Sequence, residues 1–190
     1  MRVEPIRDSS VVQMITDALR EDKTRQGSRR YLLWLSGIYL GRRVSDILQL
    51  KVGDVRGRQK IRIRERKTGK RADLYIVPEL QTVYNERLAN MDPDDYVFKS
   101  PKFDDRPITR RTAYRDMQHI KEMADLADDM MIGTHSLRKT FGYHYYQKTH
   151  DIATLMTLFN HSSERTTLIY IGIMLDEIKA AYNQVAMMYK

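Results

Sequence analysis

The sequence predicts an α+β fold that is mainly helical, with one small antiparallel β-sheet. Apolar residues recur at helical spacing through most of the chain, and capping or breaking residues separate the helices. Only at residues 60–77 does the spacing change to the alternation that is typical of a β-hairpin. No internal repeat, long linker or low-complexity tract interrupts the 190 residues. A single domain over residues 1–190 is therefore expected.

Three helices are predicted before the hairpin. The first begins at a capping box, SVVQ at residues 10–13, and ends at QGS, residues 26–28, which is interpreted as a break. The second helix covers residues 28–40 and carries Trp34. Ser45 is the expected cap of the third helix. The inner face of that helix is apolar: Val44, Ile47, Leu48 and Val52.

The hairpin is predicted from KIRIRERKTGKRADLYIV, residues 60–77. Ile61 and Ile63 alternate with arginines in the first half, and apolar residues resume in the second. The tip between them is basic and bears Lys67. Pro78 ends the second strand, because proline cannot donate to the hydrogen-bond ladder.

The rest of the chain is predicted to be helical. Helices are expected over residues 79–90 and 109–126, and the last third has caps for three more: Thr134, Asp151, and Ser162 or Ser163. A final helix over residues 175–190 has one apolar stripe: Leu175, Ile178, Ala181 or Tyr182, and Val185. That stripe either packs on its own domain or docks on a second copy of the chain.

Composition and charge point to a nucleic-acid partner. The chain has a formal net charge of +8, which suits a polyanion, although excess cations can also serve solubility alone. No cysteine is present, so disulfides and cysteine zinc sites are excluded. The longest apolar stretch, residues 31–40, is too short to cross a bilayer, and the N-terminus has no apolar signal region. A soluble cytoplasmic protein with no membrane partner is expected.

Two basic segments bear residues suited to a phosphodiester. GRRVSDIL places Arg43 just before a predicted helix, where a guanidinium can grip phosphate oxygens. RKTGKR presents Lys67 at the hairpin tip, from which an ammonium can extend into a groove. Taken alone, each residue is more simply interpreted as an exposed cation.

Two further segments supply histidines, an arginine and a tyrosine. In HSLR, His135 and Arg138 are three residues apart, so they share one helix face and could meet one phosphate. HSSERTTLIY runs from His161 to Tyr170, about two and a half helical turns. Both ends could face one site only if the chain bends near Tyr170, and Gly172 supplies such a bend. By itself, Tyr170 could equally be a packing residue.

The combination of these segments is specific where each alone is not. The order G-x-R-x-S-[DE], a hairpin lysine, H-x-x-R, and a histidine nine residues before a tyrosine resembles the tyrosine recombinases, or phage integrase family. Two positions depart from the family pattern: Asn160 replaces a common glycine, and Arg42 stands where an apolar residue is usual. Asp46 fits the acidic residue that follows the first arginine. The resemblance implies this catalytic set: Arg43, Lys67, His135, Arg138, His161 and Tyr170.

The resemblance also implies a reaction. Tyr170 would attack a DNA phosphorus, form a 3′-phosphotyrosyl link and release a 5′-hydroxyl, without ATP, cofactor or metal ion. A phenol is only about 0.1% ionised at neutral pH, so a base is needed, and His135 is the candidate. The two arginines would stabilise the phosphate charge, His161 would donate a hydrogen bond, and Lys67 would protonate the leaving oxygen.

Partners and organisation follow from the same resemblance. Double-stranded DNA is the expected substrate, and a tetramer that assembles on two DNA sites is the expected active form. Accessory DNA-bending proteins are further candidate partners. The N-terminal core-binding domain that completes a DNA clamp in this family is expected to be absent, so DNA affinity should be modest and strongly dependent on salt.

Alternative functions remain open from the sequence. A metal-dependent nuclease is suggested by Asp54 with Glu65 and Lys67, which form a D…E-x-K arrangement that often occurs by chance. A DNA-binding regulator on a recombinase scaffold is a second alternative, because a fold does not guarantee activity. A topoisomerase with the same tyrosine chemistry is a third.

Overall fold

A computed structural model describes residues 3–188 of the protein. Helices dominate this part of the chain, and its one sheet has two antiparallel strands, which confirms the predicted fold class. Between residues 3 and 188, no helix has both the length and the apolar character to cross a bilayer. The elements in chain order are α1 (Ser9–Glu21), α2 (Arg25–Leu40), α3 (Val44–Ile47), α4 (Val52–Val55), β1 (Lys60–Arg64), β2 (Arg71–Tyr75), α5 (Pro78–Arg87), α6 (Arg110–Met123), α7 (Thr134–Thr149), α8 (Ile152–Phe159), α9 (Glu164–Ile171) and α10 (Ile173–Met187).

Helix α2 is the centre of the core. Its Trp34 is fully buried, and its indole nitrogen donates to the hydroxyl of Thr16 on α1 at 2.9 Å. On another side α2 packs closely against α7, since a Cβ on Gly37 would lie 2.3 Å from a methyl group of Leu137. This contact fixes the end of α2, where Arg43 follows, beside the first turn of α7, which bears His135.

The predicted hairpin is confirmed, and its register explains its alternation. Ile61 lies opposite Leu74, and both are buried against the core, while Arg62 lies opposite Asp73 on the exposed face. Apolar burial on one face therefore sets the register. The turn that joins the strands projects from the body of the protein and carries Lys67.

The predicted starts of the first three helices are wrong in detail. Helix α3 begins after Arg43, and Ser45 lies inside that helix without capping it. Asp8, rather than Ser10, caps α1 and accepts a hydrogen bond from the Ser10 amide at 2.8 Å. The expected break at residues 26–28 lies inside α2, which Thr24 caps. Gly27 makes close contact there rather than a break, because a Cβ on it would lie 2.0 Å from the carboxyl carbon of Asp22.

A second, smaller core lies under the C-terminal helices α7, α8 and α9. Leu155, Phe159 and Ile171 are fully buried in it. Asp151 caps α8 as predicted, and of the two candidates for α9, Ser163 is the cap. The predicted bend after Tyr170 is confirmed, because α9 ends in the left-handed conformation at Gly172 (φ 89°).

Helix α10 leaves the body of the protein with its apolar stripe uncovered. The helix begins at Ile173 and runs to Met187, and the last two residues of the predicted range, 189 and 190, lie outside the described part of the chain. The stripe residues are all exposed: Leu175, Ile178, Tyr182 and Val185.

Candidate active site

Three of the predicted site residues line one open cleft of about 1060 Å³: Arg43, Lys67 and His135. Arg66, Arg110 and Arg111 also line it, and none of its lining residues is acidic. The cleft lies between the start of α3, the hairpin turn, and the first turns of α6 and α7. Such a concave surface of one charge sign focuses positive potential on whatever enters it.

The two adjacent arginines have different environments. Gly41 ends α2 in the left-handed conformation (φ 58°), where a Cβ would lie 2.5 Å from the ring of Phe141. Arg42 then turns inward, is 5% exposed, and its Nη1 lies 2.9 Å from Oε1 of Glu65. Arg43 reaches the cleft, with its Nη1 3.1 Å from the other oxygen of Glu65. Arg43 is thus the arginine of the cleft.

Arg138, three residues after His135 on α7, is buried and only 1% exposed. Its guanidinium stacks over the ring of Phe159, with 4.2 Å between Cζ and the ring centroid, and its Nη2 donates to the Phe159 carbonyl at 2.9 Å. Its Nη1 is buried and has no partner. Burial lowers the pKa of Arg138 to about 10, so the side chain remains charged at neutral pH. A buried cation with an unpaired N–H donor destabilises the folded protein unless an anion accepts a hydrogen bond from that donor.

Tyr170 lies inside this same site. Its hydroxyl is 3.4 Å from Nδ1 of His135, at the long end of the hydrogen-bond range. Its ring makes edge contacts with Phe159 and His161, at centroid separations of 5.6 and 5.4 Å. The Cζ atom of Arg138 lies 6.0 Å from the centroid of the Tyr170 ring. Tyr170, near the end of α9, therefore lies beside His135, His161 and Arg138.

The surroundings shift the pKa values of His135 and Tyr170 in opposite directions. Burial raises the pKa of Tyr170, and the charges of Arg138 and Arg43 offset this only in part. Burial, followed by the charges of Arg138 and Lys139, lowers the pKa of His135. At neutral pH the imidazole is therefore uncharged and able to accept a proton from a phenol that does not ionise unaided.

His161 is neutral and has a defined tautomer. The Thr167 hydroxyl donates its one proton to the Ser163 carbonyl at 3.0 Å, so it must accept from Nδ1 of His161 at 3.1 Å. Burial and the charge of Arg138 lower the pKa of His161 to about 4. Its Nε2 is consequently an acceptor. It becomes a donor only when a nearby anion favours the second proton.

Lys67 comes from a different segment of the chain than the predicted residues around Tyr170, which are His135, Arg138 and His161. It is exposed in the hairpin turn and faces the cleft that Arg43 and His135 also line. The hairpin thus offers its ammonium to an occupant of the cleft rather than to the protein core.

Sequence reasoning overlooked three cations near the site. Arg110 and Arg111 begin α6 at the edge of the cleft, and a doubled arginine at a helix start is the signal that marks them. Lys139 lies with its Nζ 5.2 Å from the centroid of the Tyr170 ring and donates to the Val3 carbonyl at 2.8 Å. Its partners are remote in sequence, so no local pattern indicates it.

The carboxylates of the nuclease alternative have structural roles. Asp54 accepts a hydrogen bond from the Lys51 amide at 2.9 Å at the start of α4. Glu65 is paired with Arg42 and Arg43. Among residues 3–188 no group of three or more acidic, histidine or cysteine side chains is arranged to hold a metal ion. This geometry favours the tyrosine chemistry over the D…E-x-K interpretation.

Two curated relatives resemble the chain over most of its length. It is 39% identical over 180 residues to "Probable integrase/recombinase YoeC" of Bacillus subtilis (strain 168), with 95% of each protein covered. It is 26% identical over 173 residues to "Tyrosine recombinase XerA" of Pyrococcus furiosus, covering 90% of this chain and 58% of that protein.

Solved structures share the fold. The crystal structure of XerA recombinase superposes with a TM-score of 0.73 at 23% identity, over 97% of this chain and 63% of that one. A lambda integrase tetramer bound to a Holliday junction superposes with a TM-score of 0.65 at 16% identity, over 90% of this chain and 48% of that one. The model of the "Phage integrase family" matches residues 7–174. The chain therefore belongs to the phage integrase family.

Proposed function

We propose that the chain, residues 1–190, is a single catalytic domain of a site-specific DNA recombinase that cleaves and rejoins strands through a phosphotyrosyl intermediate. The observation that carries this proposal is the Tyr170 hydroxyl, which lies 3.4 Å from Nδ1 of a neutral His135. Buried Arg138, whose Cζ lies 6.0 Å from the centroid of the Tyr170 ring, has an unpaired Nη1. A nucleophile, a base and a cation with a free donor are what attack on a phosphodiester requires.

The first step forms one bond and breaks one. Tyr170 Oη bonds to the DNA phosphorus as the bond from phosphorus to the 5′-oxygen breaks, and His135 takes the phenolic proton. The product is a 3′-phosphotyrosyl link and a free 5′-hydroxyl. Because the new ester conserves the phosphoester bond, neither ATP nor a hydrolytic water is needed, and a 5′-hydroxyl from another strand reverses the step.

Cations of the site stabilise the charge that develops. Arg138 donates its free Nη1 to an equatorial phosphate oxygen, and Arg43 approaches from the cleft. The leaving 5′-oxygen requires a proton, which Lys67 supplies from the hairpin. Once the phosphate has favoured protonation of Nε2, His161 donates a further hydrogen bond to the phosphate. These groups take over the charge stabilisation that a metal ion provides in other phosphoryl-transfer enzymes.

A direct test traps the intermediate. The protein is mixed with a pool of duplexes whose sequence is randomised around a nick, so that a short strand diffuses away after cleavage and the reaction cannot reverse. We expect an adduct that survives SDS, with or without chelator, and sequencing of the trapped DNA identifies the site. Binding without an adduct at any sequence would favour the regulator, and cleavage that leaves no adduct and stops in chelator would favour the nuclease.

Double-stranded DNA is the proposed partner of the cleft. Six cationic or titratable side chains line it: Arg43, Arg66, Lys67, Arg110, Arg111 and His135. Their spread suits contacts with successive phosphates rather than with one small anion. The lambda integrase structure with a similar fold holds a Holliday junction, which supports this assignment.

Replacing Arg110 and Arg111 together by alanine should weaken DNA binding and reduce its salt dependence. Each lost phosphate contact lowers the slope of log K against log salt by about 0.9, so the pair should lower it by nearly 2. The measurement is fluorescence anisotropy over a salt series. Arg25→Ala is the matched control, because Arg25 is exposed at the start of α2, whereas the cleft lies beyond the end of that helix. An unchanged slope in the double variant would remove these residues from the interface.

We also propose that the chain works as an oligomer on DNA and that α10 makes the contact between copies. The apolar stripe of α10 is uncovered in the single chain, and an exposed apolar face of this length is typical of an interaction surface. A tetramer on two DNA sites is the proposed assembly, with accessory DNA-bending proteins as further partners. The tetrameric lambda integrase complex supports this.

Charged substitutions on the stripe should abolish DNA-dependent oligomerisation. We expect the double variant with Ile178→Asp and Val185→Asp, or removal of residues 175–190, to sediment with DNA as a single protomer. Serine at Glu177 and Gln184, which lie on the opposite face of α10, is the matched control and should change nothing. Analytical ultracentrifugation with labelled DNA makes the measurement. Intact oligomers after removal of residues 175–190 would show that the contact lies elsewhere.

A further inference from the structure

Glu65 is an isolated acid in the most basic part of the chain. Between residues 60 and 71 the sequence has seven lysines and arginines, and Glu65 is the one acid among them. Hairpin turns with this composition are normally solvated. The Glu65 side chain is instead only 1% exposed, and it lies at the base of the turn, where its backbone pairs with Lys70 and Gly69.

The carboxylate of Glu65 joins three separate segments of the site. Oε1 accepts from Nη1 of Arg42 at 2.9 Å, and Oε2 accepts from Nη1 of Arg43 at 3.1 Å. Oε2 also accepts from the Thr68 hydroxyl at 2.7 Å and from the amide of Asn160 at 3.4 Å. One side chain therefore links the start of α3, the hairpin turn and the bend before α9.

Each linked segment carries a residue of the proposed reaction. Arg43 is held directly. Thr68 is next to Lys67 in the turn, and Asn160 is next to His161 in the chain. Asn160 adopts the left-handed conformation (φ 53°) that glycine usually supplies at a helix end. Asparagine tolerates that conformation, and unlike glycine it adds a side-chain amide that reaches Glu65.

The charge balance explains why both adjacent arginines are needed. Glu65 alone would neutralise Arg43 and weaken its attraction for phosphate. Buried Arg42 balances the carboxylate, so the trio keeps one net positive charge, and that charge is placed on the arginine of the cleft. Burial acts to raise the pKa of Glu65, but its hydrogen bonds and the two arginines outweigh burial and hold the pKa below its usual range. The carboxylate is therefore ionised at neutral pH.

We propose that Glu65 is a positioning residue for strand cleavage: with Arg42 as counter-ion, it holds Arg43 and the two neighbouring segments in reacting geometry before DNA arrives. A guanidinium has five N–H donors, so the bond to Glu65 leaves others free for a phosphate. Fixing a long side chain in advance removes an ordering step from the reaction. This inference rests on the proposed function.

The test separates positioning from folding. Glu65→Leu combined with Arg42→Met replaces the buried ion pair by apolar side chains of similar size, which is often neutral for stability. We expect this pair to unfold at the same temperature as the wild type and to bind DNA within about threefold. Its single-turnover cleavage should fall by about 10- to 100-fold, because a small misplacement of a reacting group has that effect.

Rescue by a conservative side chain is the discriminating control. Glu65→Gln with Arg42→Met keeps one carbonyl oxygen for Arg43, so cleavage should recover to within about fivefold of wild type. Wild-type cleavage by the leucine double variant, or no difference between the leucine and glutamine forms, would overturn the proposal.

A second measurement works even without cleavage. In the wild type, hindered rotation of the Arg43 guanidinium should be visible by side-chain NMR, with the signal assigned by its loss in Arg43→Lys. The signal should sharpen to that of a free arginine in the leucine double variant and persist in the glutamine form. A freely rotating Arg43 in the wild type would refute positioning. Failure of the wild type to form any adduct would instead count against the proposed function.

Discussion

Tyr170→Phe should abolish the covalent adduct between protein and DNA while leaving DNA binding within about twofold of wild type. Loss of a catalytic nucleophile removes rate by several orders of magnitude, on the order of 10⁴ or more. Phenylalanine keeps the ring that contacts Phe159 and His161, so the local packing is retained. The measurement is the SDS-stable adduct on the nicked duplex, with anisotropy for binding.

A matched control distinguishes the nucleophile from tyrosines in general. Tyr182 is exposed on α10, and Tyr182→Phe should form the adduct at the wild-type rate. Persistence of the adduct in Tyr170→Phe would mean that another side chain attacks.

Arg138→Lys should lower the cleavage rate by about 10²- to 10³-fold, the usual effect of losing one donor to a developing oxyanion. The charge is retained, but an ammonium cannot bond the Phe159 carbonyl and present a second donor in the plane of a fork. The expected loss is assigned to the unpaired Nη1, because it is the donor left for a phosphate oxygen. Single-turnover cleavage with saturating DNA gives the rate.

The control for Arg138→Lys is a second arginine-to-lysine replacement, which also keeps the positive charge. Arg165 is exposed on α9, and Arg165→Lys is expected to cleave like the wild type. If Arg138→Lys lost DNA binding in proportion to cleavage, the residue would act in ground-state affinity rather than on the transition state. Equal rates in both lysine variants would exclude the fork geometry as the cause.

The proton arrangement around Tyr170 depends on the surrounding cations. Burial, followed by the charge of Arg138, lowers the pKa of both His135 and His161, so both rings are neutral at pH 7. His135 can therefore act as the base at once, whereas His161 must first gain a proton. A bound phosphate therefore favours protonation of His161, whereas His135 needs no phosphate to act as the base.

The elements of the fold that depend on residues close in sequence were predictable. The hairpin, the cap Asp151 and the bend at Gly172 were all predicted correctly, because each follows from residues close in sequence. The start of α2 was not. A glycine there was interpreted as a break, whereas Gly27 allows close contact with Asp22 across the preceding turn. A sequence pattern alone does not separate these two uses of glycine.

The uncovered stripe of α10 was the other point left open. Its apolar spacing predicted the helix, but the same spacing fits a helix that packs on its own domain and one that binds a second chain. Whether apolar side chains are covered depends on the direction in which α10 leaves Gly172, which the spacing does not encode.

The sequence by itself determined the family, the fold class and the set of candidate groups, because the order and spacing of Arg43, Lys67, HSLR and HSSERTTLIY carry that information. Only the tertiary structure decided which of two adjacent arginines faces the cleft and whether Tyr170 reaches the site. It also turned Glu65 from a candidate metal ligand into an ion-pair anchor. These outcomes depend on burial and on partners twenty or more residues away, and a side chain's charge environment is set by those partners rather than by its neighbours in sequence.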